Sequence, residues 1–251
     1  MPTALITGAS SGIGLELARV FARQGYGLVL VARNRQRLDE IAAELKPAPV
    51  KVIAKDLSVA GAAEEIQREV PRVDVLVNNA GFGVFGKFAE TPLAEELSML
   101  QLNVAALVIL TKLYLAGMLA AGSGKILNVA STAGFQPGPL MAIYYATKAF
   151  VLSFSEAIAN ELEGTGVTVT ALCPGPTATG FQERGKMENS NLVKGKKIMD
   201  ARTVAEAGYR ALMAGKAVAI PGLKNKLLAQ SIRFSPRSMV TKIVRGMQKE
   251  V

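Results

Sequence analysis

The chain of 251 residues contains no histidine and a single cysteine, Cys173. It therefore lacks the residues for Ser-His-Asp or Cys-His catalysis, for a histidine or multi-cysteine zinc site, and for an intramolecular disulfide. The net charge is +9, and the basic surplus lies in the last quarter, where residues 184–251 hold 15 basic and 4 acidic side chains. Such a segment could meet phosphates, an acidic carrier protein or an anionic membrane, or it could form only a solvated surface.

Half of the residues are apolar and a fifth are charged, which suits the core of one α/β domain over residues 1–251. No signal peptide precedes the first strand-like segment at Thr3, and the longest apolar run, 104–122, is interrupted by Lys112. We therefore expect a soluble cytoplasmic protein, without a metal ion or a nucleic-acid partner. Acid/base chemistry in this chain has to use tyrosine, lysine, aspartate or glutamate.

The first 25 residues predict a strand, a glycine turn and a helix. Residues 3–7 are apolar, and Gly-Ala-Ser-Ser-Gly-Ile-Gly follows at 8–14, before a helical pattern that ends near Gly25. Glycines let the backbone turn tightly and approach a pyrophosphate, which the N–H groups and the positive end of the helix then hold. The spacing departs from the Gly-x-Gly-x-x-Gly fingerprint, and a purely structural glycine turn is the alternative.

Residues 27–32 predict a second buried strand, and a cluster of arginines that begins with Arg33 follows it. In a dinucleotide-binding fold an acidic group at this place would hold the ribose 2′-OH, whereas an arginine accommodates a 2′-phosphate. Ala32 and Arg33 therefore favour NADP over NAD. The alternative is that the arginines only begin a solvated helix over 36–45.

Two further predicted strands, 50–54 and 73–77, lead into polar or small residues. Asp56 and Leu57 follow the first strand, where an adenine amino group could be met, and a turn or a helix N-cap is the alternative role for Asp56. Asn-Asn-Ala-Gly follows the second strand at 78–81. Small residues there would let the backbone approach a ligand, and the side-chain amides could tie adjacent strands together.

A long apolar helix is predicted from about Thr91 to Gly122, and Asn103 lies inside it. A buried amide needs hydrogen-bond partners. Asn103 is therefore expected either to satisfy a kinked backbone or to order water near the site.

Three more predicted strands, 124–130, 167–172 and 217–221, complete a parallel sheet. The first ends at Ser131, and the second runs into Cys-Pro-Gly-Pro-Thr-Ala-Thr at 173–179. The carboxyl ends of parallel strands share one edge of an open sheet, where ligands bind. A polar, helix-poor segment at about 180–200 follows, which suits a lid over that edge.

Tyr144 and Lys148 lie four residues apart in an apolar helical segment that continues to about Glu163, so both side chains project from one face. A tyrosine with a pKa of ~10 is a poor acid or base at neutral pH, but a neighbouring cation stabilises the phenolate and lowers that pKa. The pair therefore predicts an acid/base group. The alternative is a tyrosine packed on a helix, with a lysine that extends to solvent.

Together these motifs resemble the short-chain dehydrogenase/reductase (SDR) family. They cover residues 1 to about 222 in the order and spacing of that family: Thr7-Gly-Ala-Ser-Ser-Gly-Ile-Gly14, Asn78-Asn-Ala-Gly81, Asn103, Ser131, Tyr144-x-x-x-Lys148 and Pro174-Gly-Pro-Thr177. The resemblance implies a single-domain Rossmann-type α/β fold. Its doubly wound parallel sheet would have about seven strands in the order 3-2-1-4-5-6-7, with helices on both faces.

The resemblance also implies the roles of the site residues. Tyr144 would exchange a proton with the substrate oxygen, while Lys148 lowers the tyrosine pKa and holds the nicotinamide ribose. Ser131 would hydrogen-bond the substrate oxygen, and Asn103 would maintain a water in the proton relay. The residues implied to bind NADP(H) are Gly8, Ser10, Ser11, Gly12, Ile13, Gly14, Arg33, Asn34, Arg37, Asp56, Leu57, Asn79, Ala80, Gly81, Tyr144, Lys148, Pro174, Gly175, Thr177 and Thr179.

The chain continues for about 30 residues beyond the last predicted strand, and this extension at 223–251 is basic and amphipathic. One helical face carries Met239, Val240, Ile243, Val244 and Met247. Such a stripe suits either contact with a membrane interface or packing on its own protein or on a partner subunit. The extension is similar to a DltE-like branch of the family.

The sequence thus predicts an NADP(H)-dependent oxidoreductase that interconverts a carbonyl and an alcohol. Apolar residues near 82–88, 135–141 and 181–193 predict an apolar ketone, aldehyde or 3-oxoacyl substrate. The alternatives are a non-catalytic NADP-binding sensor or scaffold, and a protein of the membrane surface. We expect a homo-oligomer, with a dimer favoured over a tetramer.

Overall fold

The computed structural model describes residues 1–181 and 198–248. The helices are α1 (Gly12–Arg23), α2 (Arg35–Glu44), α3 (Ala62–Glu69), α4 (Leu93–Leu100), α5 (Leu107–Ala121), α6 (Ala142–Glu161), α7 (Ala201–Met213), α8 (Leu223–Ser231) and α9 (Arg237–Gln248). The strands are β1 (Thr3–Thr7), β2 (Gly27–Ala32), β3 (Val50–Ala54), β4 (Val75–Asn78), β5 (Gly124–Val129), β6 (Val167–Leu172), β7 (Thr177–Ala178), β8 (Met199–Asp200) and β9 (Val218–Ala219). Most of the predicted lid at 180–200 lies outside the described residues.

One parallel sheet has seven strands in the order β3-β2-β1-β4-β5-β6-β9. The predicted order is confirmed, and β9 is the predicted seventh strand; the short strands β7 and β8 pair separately. The strand order reverses between β1 and β4, since the chain proceeds outward from β1 through β2 and β3 before it returns to β4. A crevice forms at such a reversal, outside the carboxyl ends of the strands.

Helices cover both faces of the sheet, so the strands are buried on both sides and have nearly continuous apolar sequences. The core on one face contains residues of α1, α2 and α7: Leu15, Leu17, Phe21, Leu38, Ile41, Val204 and Leu212. The core on the other face contains residues of α3 and α5: Ile66, Leu110, Tyr114 and Met118. This packing fixes the strand ends relative to one another, and with them the loops that form the site.

Buried amides tie the central strands together, as the sequence predicted for the 78–81 segment. The Asn78 side chain donates to Asn128 Oδ1 (2.9 Å) and to Thr111 Oγ1 (3.0 Å). Asn128 in turn donates to Ser155 Oγ (2.9 Å). These bonds join β4 and β5 to α5 and α6, the helix that carries Tyr144.

The predicted long helix over 91–122 forms, with a change of hydrogen-bond pattern in its middle. Residues 101–106 form a π-helical turn between α4 and α5. The stretch Leu93–Ala121 is long and apolar enough to cross a membrane by length and composition. Leu110, Tyr114 and Met118 pack one side of it against the sheet, and 33% of its most apolar stretch is buried. The helices α3, α7 and α8 were not predicted from the sequence.

Candidate active site

The carboxyl ends of β1 to β6 open into one cavity of about 1110 Å³. Most of the predicted site residues line it: Gly8, Ser10, Ser11, Gly12, Ile13, Arg33, Asn34, Asp56, Leu57, Asn79, Ala80, Gly81, Ser131, Tyr144, Lys148, Pro174, Gly175, Thr177 and Thr179. Of the predicted residues, Gly14, Arg37 and Asn103 lie outside the lining. The fold thus brings together residues from six separate strand ends.

The conformation of the turn after β1 depends on its glycines. Gly8 and Gly12 have positive φ angles of 66° and 55°. A Cβ atom on Gly14 would lie 2.3 Å from the carbonyl oxygen of Gly8, so Gly14 has the structural role of packing α1 against the turn. Asn79 Nδ2 donates to the carbonyl oxygens of Thr7 (2.9 Å) and Gly8 (3.2 Å) and holds the turn in place.

The N-terminus of α1 faces the cavity without a neutralising charge. Ser11 is its N-cap residue, and its first turn contains no acidic side chain. The N–H groups and the positive end of the helix dipole are therefore available to an anion such as a pyrophosphate. Arg33 adds a largely exposed guanidinium at the end of β2, 4.0 Å from Asp56 Oδ2. These groups fit a dinucleotide that carries a further phosphate.

Two neighbours of Arg33 have local structural roles. Asn34 Oδ1 accepts a hydrogen bond from the Arg37 N–H (3.0 Å) and caps α2. The Arg37 guanidinium lies 2.9 Å from Glu40 Oε2, so its side chain is directed along α2 and away from the cavity. Asp56 Oδ1 accepts from the N–H and the hydroxyl of Ser58, which is the turn role that the sequence left open.

Ser131, Tyr144 and Lys148 converge at the ends of β5 and α6. The Ser131 hydroxyl accepts a hydrogen bond from the Ala133 N–H (3.1 Å) and donates to the Pro174 carbonyl oxygen (3.4 Å). Lys148 is buried, and its Nζ donates to the Val129 carbonyl oxygen (2.7 Å). The same Nζ lies 5.8 Å from the centre of the Tyr144 ring. A phenol, a hydroxyl and an amine therefore share one wall of the cavity.

The titration of this cluster differs from the sequence expectation. Burial raises the pKa of Tyr144 above its ordinary value, and the nearby Ser131 side chain opposes this effect only in part. Burial lowers the pKa of Lys148 to about 8. The pKa of Tyr144 is thus raised where the sequence predicted it to be lowered, because desolvation of the phenol outweighs the effect of an amine that lies against the ring face.

Asn103 lies in the π-helical turn, and its amide is used by the protein itself. Its Oδ1 accepts from the Phe82 N–H (3.1 Å), and its Nδ2 donates to the Phe82 carbonyl oxygen (2.9 Å) and to Thr147 Oγ1 (3.2 Å). Of the two expected roles, the structure shows the satisfaction of an irregular backbone. A Cβ atom on Gly81 would lie 3.0 Å from Asn103 Oδ1 and 3.6 Å from Lys148 Nζ, so this amide also sets the tight packing beside the lysine.

A comparison with family models identifies the chain. Residues 2–189 match the model described as short chain dehydrogenase. The chain belongs to the short-chain dehydrogenase family. It is therefore an oxidoreductase of a family that binds a nicotinamide cofactor, as the motifs predicted.

Individual short-chain dehydrogenases agree with this placement. An uncharacterized oxidoreductase of Staphylococcus epidermidis is 36% identical over 199 residues, which cover 75% of this chain and 86% of that protein. A short-chain dehydrogenase from Sphingobium yanoikuyae, solved in complex with NADPH, has a TM-score of 0.84 and 34% identity over 93% of this chain and 94% of its own. The bulky-bulky ketone specific alcohol dehydrogenase from Comamonas testosteroni has a TM-score of 0.80 and 33% identity over 93% of each chain.

The C-terminal helices of this short-chain dehydrogenase form a wall of the cavity that the sequence did not predict as part of the site. Residues of α8 and α9 line it: Leu223, Asn225, Leu228, Val240, Ile243, Val244 and Met247. Val240 and Val244 are buried against Met141 and Tyr145. The expectation that the apolar stripe packs on its own protein is therefore confirmed for these two residues, and the stripe itself was the available signal.

A hydrogen bond fastens the end of α9 to the helix that carries Tyr144. Gln248 is fully buried, and its Nε2 donates to the Tyr145 hydroxyl oxygen at 2.7 Å. Tyr145 follows Tyr144 in the chain, and the two rings meet edge to face with centres 6.0 Å apart. The position of α9 on the cavity wall is thus linked directly to the helix that carries Tyr144.

Proposed function

We propose that this short-chain dehydrogenase is an NADP(H)-dependent oxidoreductase that interconverts an apolar ketone or aldehyde and the corresponding alcohol by hydride transfer, with Tyr144 as the acid/base. The observation that carries the proposal is that Ser131 and Tyr144 line the same cavity, with the buried amine of Lys148 beside the tyrosine ring. A hydroxyl and a phenol placed together offer two hydrogen bonds to one oxygen atom. This is the arrangement that a developing alkoxide requires.

The residues around the cavity fit NADP(H). The glycine turn and the uncovered N-terminus of α1 would hold the pyrophosphate, and Arg33 would hold the 2′-phosphate. The ion pair of Arg33 with Asp56 does not oppose this role, because both side chains are largely exposed and such a pair stabilises little. The bound cofactor supplies the hydride that reduces the carbonyl carbon.

The side chains of Ser131 and Tyr144 would then act on the substrate oxygen. Ser131 donates a hydrogen bond to it and Tyr144 transfers a proton to it, so that the carbonyl becomes a neutral alcohol as the carbon accepts the hydride. In oxidation, Tyr144 accepts that proton as a phenolate. The raised pKa of Tyr144 favours the protonated phenol, which is the form that carbonyl reduction needs.

The substrate wall is apolar, which supports the apolar substrate class. Phe82, Met141, Tyr145, Phe181, Val240 and Val244 line the cavity near Tyr144. Tyr144 itself meets the Phe181 ring, with centres 5.2 Å apart. Such a wall would bind the hydrocarbon part of a substrate and leave its single polar oxygen at Ser131 and Tyr144.

The test is NADPH oxidation with a panel of ketones, aldehydes and 3-oxoacyl thioesters. With an accepted carbonyl, Tyr144→Phe is expected to lower kcat by about 10²- to 10⁴-fold, the usual contribution of a general acid. Tyr209→Phe is the matched control, because Tyr209 packs on Phe21 away from the cavity. Intact turnover in Tyr144→Phe would contradict the acid/base assignment. Tight NADPH binding without turnover across the whole panel would instead favour a non-catalytic sensor.

A further inference from the structure

The outward side of α8 and α9 exposes large apolar side chains. Leu223 is 73%, Leu227 is 61% and Phe234 is 88% exposed. Leu228, Met239 and Ile243 are exposed as well. We name the exposed residues of 223–245 the α8–α9 surface. Exposed large apolar side chains that lie on neighbouring elements of a protein surface indicate an interaction site.

Helix α8 has its apolar side chains directed outward. Leu223 and Leu227 are four positions apart and share one side of the helix, whereas the buried Ala229 lies on the far side. Lys224 and Lys226 flank the two leucines, one on each side. The helix thus presents an apolar stripe between two cationic edges, which is the pattern of a helix that lies in a lipid interface.

The charge of the α8–α9 surface has one sign. Residues 207–248 contain no acidic side chain. Six exposed basic residues lie on α8, on α9 and between them: Lys224, Lys226, Arg233, Arg237, Lys242 and Arg245. Within residues 1–181 and 198–248, none of these six forms an ion pair. The complementary partner is therefore an anionic one.

The cavity opens on the same surface. Leu223, Leu228 and Ile243 each line the cavity, and each is also more than half exposed to solvent. The mouth of the cavity is thus bordered by apolar side chains, with the basic residues around them. A partner that covers this surface would also cover the entrance to the cavity.

We propose that the α8–α9 surface docks the protein on an anionic lipid bilayer, with the mouth of the cavity facing the lipid. The exposed leucines and Phe234 would enter the headgroup region, and the six basic residues would contact anionic headgroups. A second copy of this chain fits less well, because a two-fold interface would place the six basic residues of one copy against the same six of the other. The proposal does not depend on the proposed reaction, since docking is measured without turnover.

The test is co-sedimentation of the full chain with phosphatidylcholine vesicles that contain or lack phosphatidylglycerol. The variant Lys226→Gln/Arg233→Gln removes two charges from the surface and leaves the cavity lining unchanged. Because each basic residue near an anionic leaflet contributes about fivefold to binding, the pair is expected to weaken it by about tenfold or more. The matched control, Arg72→Gln/Lys216→Gln, removes two exposed charges that precede β4 and β9. They lie at the amino ends of these strands, whereas the cavity lies at the carboxyl ends.

A second variant tests the exposed apolar side chains of the α8–α9 surface without changing the net charge. Leu227→Ser/Phe234→Ser is expected to lose most vesicle binding, whereas Val59→Ser/Phe88→Ser, which alters two exposed apolar side chains elsewhere, retains it. Equal thermal unfolding of the variants is measured alongside. Absence of vesicle binding by the wild type would overturn the proposal. So would a loss of binding in Arg72→Gln/Lys216→Gln equal to that in Lys226→Gln/Arg233→Gln. So would a change from dimer to monomer in Leu227→Ser/Phe234→Ser without vesicle binding, since the surface would then be a subunit interface.

Discussion

At the scale of single residues, the burial of the Lys148 amine is the feature of the site that is least favourable for the free energy of folding. The side chain is 5% exposed, and within the described part of the chain its recorded hydrogen bond is to the neutral Val129 carbonyl oxygen. Burial of a cation without a carboxylate partner is unfavourable and lowers its pKa, here to about 8 from 10.5. Keeping this amine beside Tyr144 therefore lowers the stability of the folded protein at neutral pH.

The variant Lys148→Met should be more stable than the wild type at pH 7 by about 1–2 kcal/mol, after allowance for the lost bond to Val129. Between the folded pKa of about 8 and the ordinary value of 10.5, the unfolded chain binds more protons at this lysine, so the wild type gains stability as pH rises. The advantage of the variant should therefore shrink over that window. Urea unfolding from pH 7 to 10 measures both effects. Lys216→Met, at an exposed lysine, serves as the control and should show no such trend; a variant that is less stable at every pH would contradict the argument.

At the scale of elements, α9 is held among the described residues by a buried side-chain hydrogen bond as well as by apolar contacts. Gln248 and Tyr145 are both buried, and the Gln248 Oε1 atom has no hydrogen-bond partner among the described residues. The amide therefore depends on its one bond, from Nε2 to the Tyr145 hydroxyl. Loss of that bond leaves a buried polar group unsatisfied, which costs more than the bond itself contributes.

A double-mutant cycle across this bond follows from that dependence. Tyr145→Phe and Gln248→Leu should each lower the free energy of unfolding by about 1–3 kcal/mol, because each leaves one buried polar group alone. The double variant should lose less than the sum, since both groups are then apolar. Tyr26→Phe is the control, because within residues 1–181 and 198–248 the Tyr26 hydroxyl forms a weak contact, with Met213 Sδ at 3.9 Å. Additive losses in urea unfolding would mean that the two side chains do not act together.

At the scale of the whole molecule, the sheet was predictable because buried parallel strands have nearly continuous apolar sequences. Strand β2, for example, has five fully buried residues in succession. The helices α3 and α7 were missed although both have a pronounced amphipathic pattern, so a signal for them was available in the sequence. The π-helical turn at 101–106 was missed because it depends on which carbonyl each N–H selects, and side-chain spacing does not encode that choice.

The candidate site was predictable where a motif carries it, and not where tertiary packing creates it. Ser131, Tyr144 and Lys148 were found from their spacing and lie together. Arg37 was included because it belongs to the arginine cluster, but a carboxylate one turn further along α2 draws its side chain away. The wall formed by α8 and α9 could not be assigned to the site from the sequence. An amphipathic stripe indicates that a helix packs on another surface, but it does not indicate which one.

The gain in stability from a bound cofactor belongs to the whole molecule, because a ligand that contacts the ends of six strands would stabilise all of them at once. A ligand that binds only the folded state raises its stability by RT ln(1 + [L]/Kd). NADPH should therefore raise the melting temperature of the wild type more than NADH does. Arg33→Ala should weaken NADPH binding about 10- to 100-fold, the value of a charge-assisted contact, and leave NADH binding nearly unchanged. The larger rise of the melting temperature with NADPH should then disappear.

Arg35→Ala is the matched control, since Arg35 is paired with Asp39 at 3.1 Å and lies outside the cavity. Equal shifts with NADPH and NADH in the wild type, or the same loss in both variants, would show that Arg33 does not select a 2′-phosphate.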